Sequence, residues 1–360
     1  MKKISIYLCL LISLNSHSDE FWHINEYFKH HPKQEQLLND FSKVVTNLPI
    51  QVKAKQRRPI KISVIYPGKQ ISDYWKRSLS SFKARLDLLN IKYQIEEFFT
   101  KPGVEIRKQA KHILQSLKGN PDYLIFTLDA KKHQKIITQI LSKGKTKVIL
   151  QNITTPLKLW KNHPPFLYVG FDHQLGSKLL LDRILQIHPN GGKFAMLYLT
   201  DGYVSKMRGD SFIGNLKQHK KWKLVGRYYT DNDENKIKKA LEDLTTNEKD
   251  IQLVFSCSTD IAITSAKFSK KNKLDFTING WGGGSAELES LSLKKNGIDL
   301  TVMRINDDNG VAMAEAIKYE LEDRSSLIPR VFSGEMVIID KSTTKEEIEK
   351  LKKRSFRYSR

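Results

Sequence analysis

From Pro59 onward the chain alternates between two kinds of stretch. Short runs of β-branched and aromatic residues give way to longer stretches in which apolar positions recur at helical spacing, and then the short runs return. The runs are IKISVIY (60–66), IKYQIEEFF (91–99), DYLIFTL (122–128), KVILQNI (147–153), FLYVGFD (166–172), FAMLYLT (194–200), KLVGRYYT (223–230), IQLVFSC (251–257), DFTING (275–280), IDLTVMRI (298–305) and EMVIID (335–340). Between them lie amphipathic stretches such as DYWKRSLSSFKARLDLLN and VAMAEAIKYELED. Continuously apolar strands that alternate with helices predict parallel sheets covered on both faces. Ten or eleven strands exceed what one compact sheet usually carries, so the pattern predicts an α/β protein of two doubly wound, Rossmann-like lobes. Three crossings are expected between them, with TTP (154–156), HPP (163–165) and the glycines at 282–284 as candidates. The boundaries that follow put residues 59–155 and 283–330 in lobe 1, and 156–282 and 331–360 in lobe 2. Residues 19–58 read as a helical extension that ends in a basic linker, KAKQRRP.

The N-terminus adds a compartment. MKKISIYLCLLISLNSHS carries Lys2 and Lys3, an apolar run from Ile4 to Leu14, and small residues at Ser16 and Ser18. Those three regions predict a signal peptide over residues 1–18, cut after Ser18, and an exported, periplasmic protein. No other stretch approaches the ~20 apolar residues of a membrane span. The chain has two cysteines, Cys9 and Cys257, and Cys9 lies in the signal, so no internal disulfide is expected. The formal net charge is +22. Alone, that charge would suggest nucleic acid or an anionic membrane as partner. Export removes intracellular DNA, and lysines spread along outer helix faces read as a solvated surface.

Ligands of doubly wound sheets sit at the carboxyl ends of the strands. Read in order, those ends carry Gln70, Ser72 and Trp75, then Asn152, Arg208, Ser258, Thr259 and Asp260, Trp281, and Arg304. Flat aromatic faces suit the apolar side of a small ring, and amides and hydroxyls suit its hydroxyl groups. Two guanidiniums converging from opposite lobes need a negative charge, because burying unpaired cations is costly. Each residue alone has a plainer role: a packing Trp, a surface Arg, an Asn that stops a strand, a Thr259 that caps a helix. Their shared position at strand ends favours a site. INGWGGGS (278–285) has neither the Lys-Ser/Thr ending of a P-loop nor a dinucleotide fingerprint, so its glycines read as a turn that leaves the Trp281 indole uncrowded. No HExxH, GxSxG or CxxC occurs, and Asp129, Asp172 and Asp260 form no evident acid/base pair. A binding protein is expected, with no catalytic residues, no metal and no cofactor.

Longer segments carry a resemblance. RPIKISVIYPGKQISDYW, DYLIFTLD, ILQNITTP, FLYVGFDH, RGDSFI, CSTD, INGWGGGSAEL, TVMRINDD and LKKRSFRYS resemble the LuxP-type periplasmic autoinducer-2 receptors of vibrios. These are periplasmic binding proteins of type I, ribose-binding-like. The likeness runs from about residue 57 to the C-terminus. It implies a ligand-binding cleft between the lobes, and as ligand the furanosyl borate diester form of autoinducer-2, whose borate is part of the ligand. It implies contacts from Gln70, Ser72, Trp75, Asn152, Arg208, Thr259, Trp281 and Arg304, with the two arginines on the borate. It further implies, as partner, the periplasmic domain of a LuxQ-type membrane sensor kinase, regulated by lobe closure. The main rival is a ribose- or sugar-binding component of an ABC uptake transporter, which predicts acids rather than two arginines among its contacts. A DNA-binding repressor of this fold would need a helix-turn-helix where the signal peptide stands. A secreted sugar-modifying enzyme would need the missing acid/base pair.

Overall fold

The computed structural model describes residues 20–128, 131–293, 295 and 297–360. The expected signal peptide and Asp129 lie outside the described residues. The strands are β1 (Ile60–Tyr66), β2 (Tyr93–Phe99), β3 (Tyr123–Phe126), β4 (Lys147–Gln151), β5 (Leu167–Gly170), β6 (Gly192–Tyr198), β7 (Trp222–Tyr229), β8 (Ile251–Ser256), β9 (Thr277–Gly282), β10 (Leu300–Arg304), β11 (Val331–Ser333) and β12 (Met336–Asp340).

They form two six-stranded sheets, ordered β11-β5-β4-β3-β1-β2 in lobe 1 and β12-β10-β9-β8-β6-β7 in lobe 2. Pairings within both sheets are parallel, except that β12 runs antiparallel to β10. Helices cover both faces, and so β3, β5 and β10 are buried at every position. That is the apolar continuity seen in the sequence. The two-lobed α/β architecture is as expected.

The lobe boundaries differ from expectation. β5 belongs to lobe 1 and β10 to lobe 2, and β11, which the sequence pattern does not single out, adds an edge to lobe 1. The chain crosses between β5 and the helix His173–Ile187, between β10 and the helix Asp307–Leu321, and between β11 and β12. The residues at these crossings are Phe171-Asp172, Ile305-Asn306 and Gly334-Glu335, mostly ordinary linker residues without a Pro or Gly run. The TTP and HPP segments lie between β4 and β5, inside lobe 1, and the glycine run lies inside lobe 2. β11 is only three residues long, too short to show a period.

The N-terminal extension forms two helices, Ile24–His30 and Pro32–Thr46, the second opening on Pro32. Phe41 packs edge-on against Tyr319 and Phe332, with ring centroids 5.8 and 6.1 Å away, so the extension is built into lobe 1. No helix among the described residues is long and apolar enough to cross a membrane.

Candidate functional site

The carboxyl ends of both sheets face one cleft. After β1 the loop 67–73 leads into the helix Tyr74–Leu88, whose first turn buries Trp75. The Trp75 ring lies 4.8 Å from those of Tyr66 and Tyr74. Asn152 follows β4 with a φ of 66°, a left-handed conformation that Asn tolerates. Gly170 allows this close turn, because a Cβ there would lie 3.1 Å from the Asn152 Cα.

In lobe 2, Arg208 sits in a π-helical turn, Lys206–Asp210, within a continuous helical run after β6. Such turns often mark functional positions. Ser258 caps the helix Thr259–Asn272, accepting from the Ile261 amide at 3.2 Å. The capping role open to Thr259 therefore falls to its neighbour. Thr259 itself donates to the Trp281 carbonyl at 3.3 Å.

All eight residues expected at the site line a single small cavity of ≈ 60 Å³. Lobe 1 supplies Gln70, Ser72, Trp75 and Asn152, and lobe 2 supplies Arg208, Thr259, Trp281 and Arg304. The arginines therefore come from one lobe and not from opposite halves, because β10 belongs to the lobe 2 sheet. Tyr74, Ser258 and Asp260 also line the cavity, with Pro67, Pro102, Leu199 and Val204 as apolar wall.

Both arginines are 5 % exposed. Arg208 donates from Nη1 to the Cys257 carbonyl at 2.7 Å and from Nε to His173 Nδ1 at 3.3 Å, and its guanidinium lies 4.5 Å from the Trp281 ring centroid. Arg304 lies 4.0 Å from the ring centroid of Tyr74, a lobe 1 residue, and its Nε has no partner. Among the described residues neither guanidinium pairs with a carboxylate. Burial holds the Arg208 guanidinium well below its ordinary range, and the charge of Arg304 pushes the same way. Burial lowers Arg304 too. The buried acid beside β9, Glu287, is fully engaged. It accepts from the Trp281 and Gly283 amides at 2.8 Å and from the Thr301 hydroxyl at 2.6 Å. The cleft is thus a desolvated site with positive charge to spare. Asp260 is the one acid on its wall. Burial raises its pKa, one oxygen accepts from the Ile71 amide at 3.0 Å, and the other has no partner.

The glycine run serves the arginine. Gly282 has a φ of 134°, and a Cβ on it would lie 2.4 Å from Arg304 Nη2. The backbone makes a sharp exit from β9 and leaves room for the guanidinium. It is not a phosphate cradle.

Tyr74 and His173 are site-supporting residues that the sequence reading passed over. His173 opens the helix that follows β5, three residues past the strand's last residue, so the strand-end rule could have found it. Among the described residues no group of three or more His, Cys, Asp or Glu is placed to hold a metal ion.

Residues 62–326 match the sequence profile of a family described as a periplasmic binding protein domain. Several solved structures are similar. An ABC transporter solute binding protein from Agrobacterium vitis, bound with alpha-D-tagatopyranose, superposes with a TM-score of 0.71 at 16% identity, over 81% of this chain and 98% of that one. GanP, a glucose-galactose binding protein from Geobacillus stearothermophilus, gives 0.70 at 14% identity, over 80% and 100%. An ABC transporter solute binding protein from Bacillus halodurans with bound myo-inositol gives 0.67 at 14% identity, over 83% and 99%. At these identities the likeness is one of fold.

Proposed function

Because the chain belongs to the periplasmic binding protein family, we propose that it is a periplasmic receptor that closes on one small, ring-shaped polyol carrying a negative charge. The observation that carries this reading is the pair Arg208 and Arg304: two buried guanidiniums on one lobe, with no carboxylate partner among the described residues, at the wall of a cavity whose other polar and aromatic lining is neutral except for Asp260. An anion between them would make charge-assisted hydrogen bonds and remove the cost of burying like charges together. Trp75 and Trp281 would bound the ring, and Gln70, Ser72, Asn152 and Thr259 would meet its hydroxyl groups.

The furanosyl borate diester of autoinducer-2 has these features, and the resemblance of the strand-end segments supports it as the ligand. The protein then carries out no chemistry. Its output is a shift from open to closed populations, driven by the ligand's preference for the closed form and read by a LuxQ-type membrane sensor kinase. A preference of ~5.5 kcal/mol moves such a balance from 1:99 to 99:1.

A second reading is the solute-binding component of an ABC sugar transporter. The sugars and cyclitol named with the similar structures favour it, as does the free carboxylate oxygen of Asp260 on the cavity wall. The test is to denature protein purified from an autoinducer-producing host, identify what is released, and assay it for boron. Titration of refolded protein with synthetic autoinducer-2, with and without boric acid, and with ribose, galactose and tagatose completes it. Boron-dependent binding supports the first reading. Boron-independent binding of a neutral sugar replaces it with the second.

A further inference from the structure

His173 is fully buried and does not line the cavity; it stands behind Arg208. Its two ring nitrogens face groups with opposite demands. Nε2 lies 3.2 Å from the Asn152 carbonyl oxygen, which only accepts. Nδ1 lies 3.3 Å from Arg208 Nε, which only donates. Both contacts are satisfied by one form alone, the neutral imidazole with its proton on Nε2. Burial together with the charges of Arg208 and Arg304 disfavours the imidazolium.

The surroundings fix the ring in place. It packs against Tyr203 and Trp281, with centroids 5.8 and 6.1 Å away. One turn further along the same helix, Ser177 donates to the Arg208 carbonyl at 2.7 Å. Arg208 is therefore gripped at its backbone and at Nε by one helix, and at Nη1 by the Cys257 carbonyl. Those bonds use the Nε–H and one of the two Nη1–H donors and leave the other Nη1–H and both Nη2–H donors for a ligand. The ring also bridges the lobes, since Asn152 belongs to lobe 1 and Arg208 to lobe 2.

We propose that His173 is a positioning residue that aims Arg208 into the cleft and, while the lobes are together, ties its direction to the backbone of Asn152, so that the anion-binding guanidinium is held in its binding orientation. This rests on the reading of the cleft as an anion site. A guanidinium held in place loses less rotamer freedom on binding than a free one. The same geometry makes the site selective for charge, because Arg208 cannot swing out to solvent when a neutral ligand enters.

Two measurements on the full mature chain test it. The first needs no ligand. In protein labelled with ¹⁵N-histidine, the His173 signal, assigned by its loss in His173→Gln, should report a neutral ring protonated on Nε2 from pH 5 to pH 8. An imidazolium or an Nδ1–H tautomer would overturn the proposal. The second compares two variants with synthetic autoinducer-2 plus boric acid. His173→Phe keeps a packed ring but offers no acceptor, and should weaken binding by about 10- to 100-fold, the worth of a hydrogen bond to a charged group. His173→Gln can place an acceptor toward Arg208 and a donor toward Asn152, and should restore affinity to within a few-fold of wild type. Equal binding by wild type and His173→Phe, or no rescue by Gln, would sink the idea. If the wild-type protein binds only neutral sugars, the anion reading fails, and the ring-nitrogen measurement still decides whether His173 orients Arg208.

Discussion

The carboxylate of Asp73, on lobe 1, accepts hydrogen bonds from the hydroxyl and amide of Ser285, on lobe 2, at 2.8 and 3.2 Å. It caps the N-terminus of the helix Ser285–Ser292 from across the cleft. The arrangement is reciprocated, since Asp260 of lobe 2 accepts from the Ile71 amide of lobe 1 at 3.0 Å. Each lobe thus lends a carboxylate to the other's backbone, and both bonds exist only while the lobes are together. Burial alone would raise the Asp73 pKa, but hydrogen bonds from Arg77 and Ser285 outweigh it, and the net shift is downward. Arg77 sits on the same lobe, so only the Ser285 part of that shift belongs to closure; that part stabilises closure above the ordinary aspartate range and is lost as pH falls through the lowered value. Asp73→Ala should weaken ligand binding by about 3- to 10-fold, the value of a hydrogen bond of this kind, mainly through faster release. Stopped-flow release rates, with small-angle scattering of the ligand-bound form, check this; an unchanged release rate would count against the latch.

The two arginines make opposite predictions for stability and for binding. Each is desolvated without a carboxylate partner, so each costs stability in the ligand-free closed form. Arg304→Met keeps volume against Tyr74 and removes a charge. The ligand-free protein should gain about 1–4 kcal/mol in chemical denaturation, as seen when buried ions are replaced by packed apolar groups. Affinity for an anionic ligand should fall by about 2–5 kcal/mol, the cost of removing one partner of a buried charge pair. Affinity for neutral sugars should change little. A loss of stability on its own would mean that Arg304 is structural.

Gly282 tests why the glycine run exists. A side chain there must adopt a φ of 134° and displace the Arg304 guanidinium. Gly282→Ala should cost about 1–3 kcal/mol from backbone strain and also weaken ligand binding. Gly214 is a fitting control, since a Cβ there meets nothing within 4 Å. Gly214→Ala should leave binding unchanged in the same titration. Calorimetry of both variants separates strain from site disruption.

What the sequence revealed, and what it hid, follows the range of each signal. Eleven of the strands announced themselves, the inner ones because burial on both faces writes an unbroken apolar run and the edge strands β2 and β7 through their β-branched and aromatic residues, and the cleft residues were legible because the ends of such runs are readable. Arg304 was found at its strand end yet assigned to the wrong lobe. Which sheet a strand joins is decided by pairing partners far away in the chain, and β10 gives no local sign that β9 and β12 are its neighbours. His173 was missed because its role lies in two hydrogen bonds to distant residues, and an isolated histidine after a strand advertises neither. Tyr74 was hidden for a similar reason. Its ring reads as core packing beside Trp75, and its place beneath Arg304 appears only when the lobes meet.

The C-terminal residues offer the sharpest stability test. Helix Lys345–Ser355 packs on lobe 2 through Ile348 and Leu351, yet the residues after it return to lobe 1. Asp307 there accepts from the amides of Tyr358 and Ser359 at 2.6 and 3.0 Å and from the Ser359 hydroxyl at 2.6 Å, and Asp308 accepts from Arg357 at 2.5 Å. Arg77 lies 4.0 Å from the Phe356 ring centroid, and Arg85, itself paired with Glu315, donates to the Tyr358 hydroxyl at 2.9 Å. Truncation after Ser355 would strand two buried carboxylates without these donors. Burial already raises both pKa values, and losing the donors raises them further. A carboxyl whose pKa is higher in the folded than in the unfolded state favours folding at low pH, and this advantage is lost as pH rises through the folded value. The truncated chain should therefore be less stable than wild type by several kcal/mol, and the deficit should be larger at pH 8 than at pH 5. Urea denaturation of both chains at the two pH values measures it. A deficit independent of pH would show that the tail acts through packing alone, and that the two aspartates find other partners when it is gone.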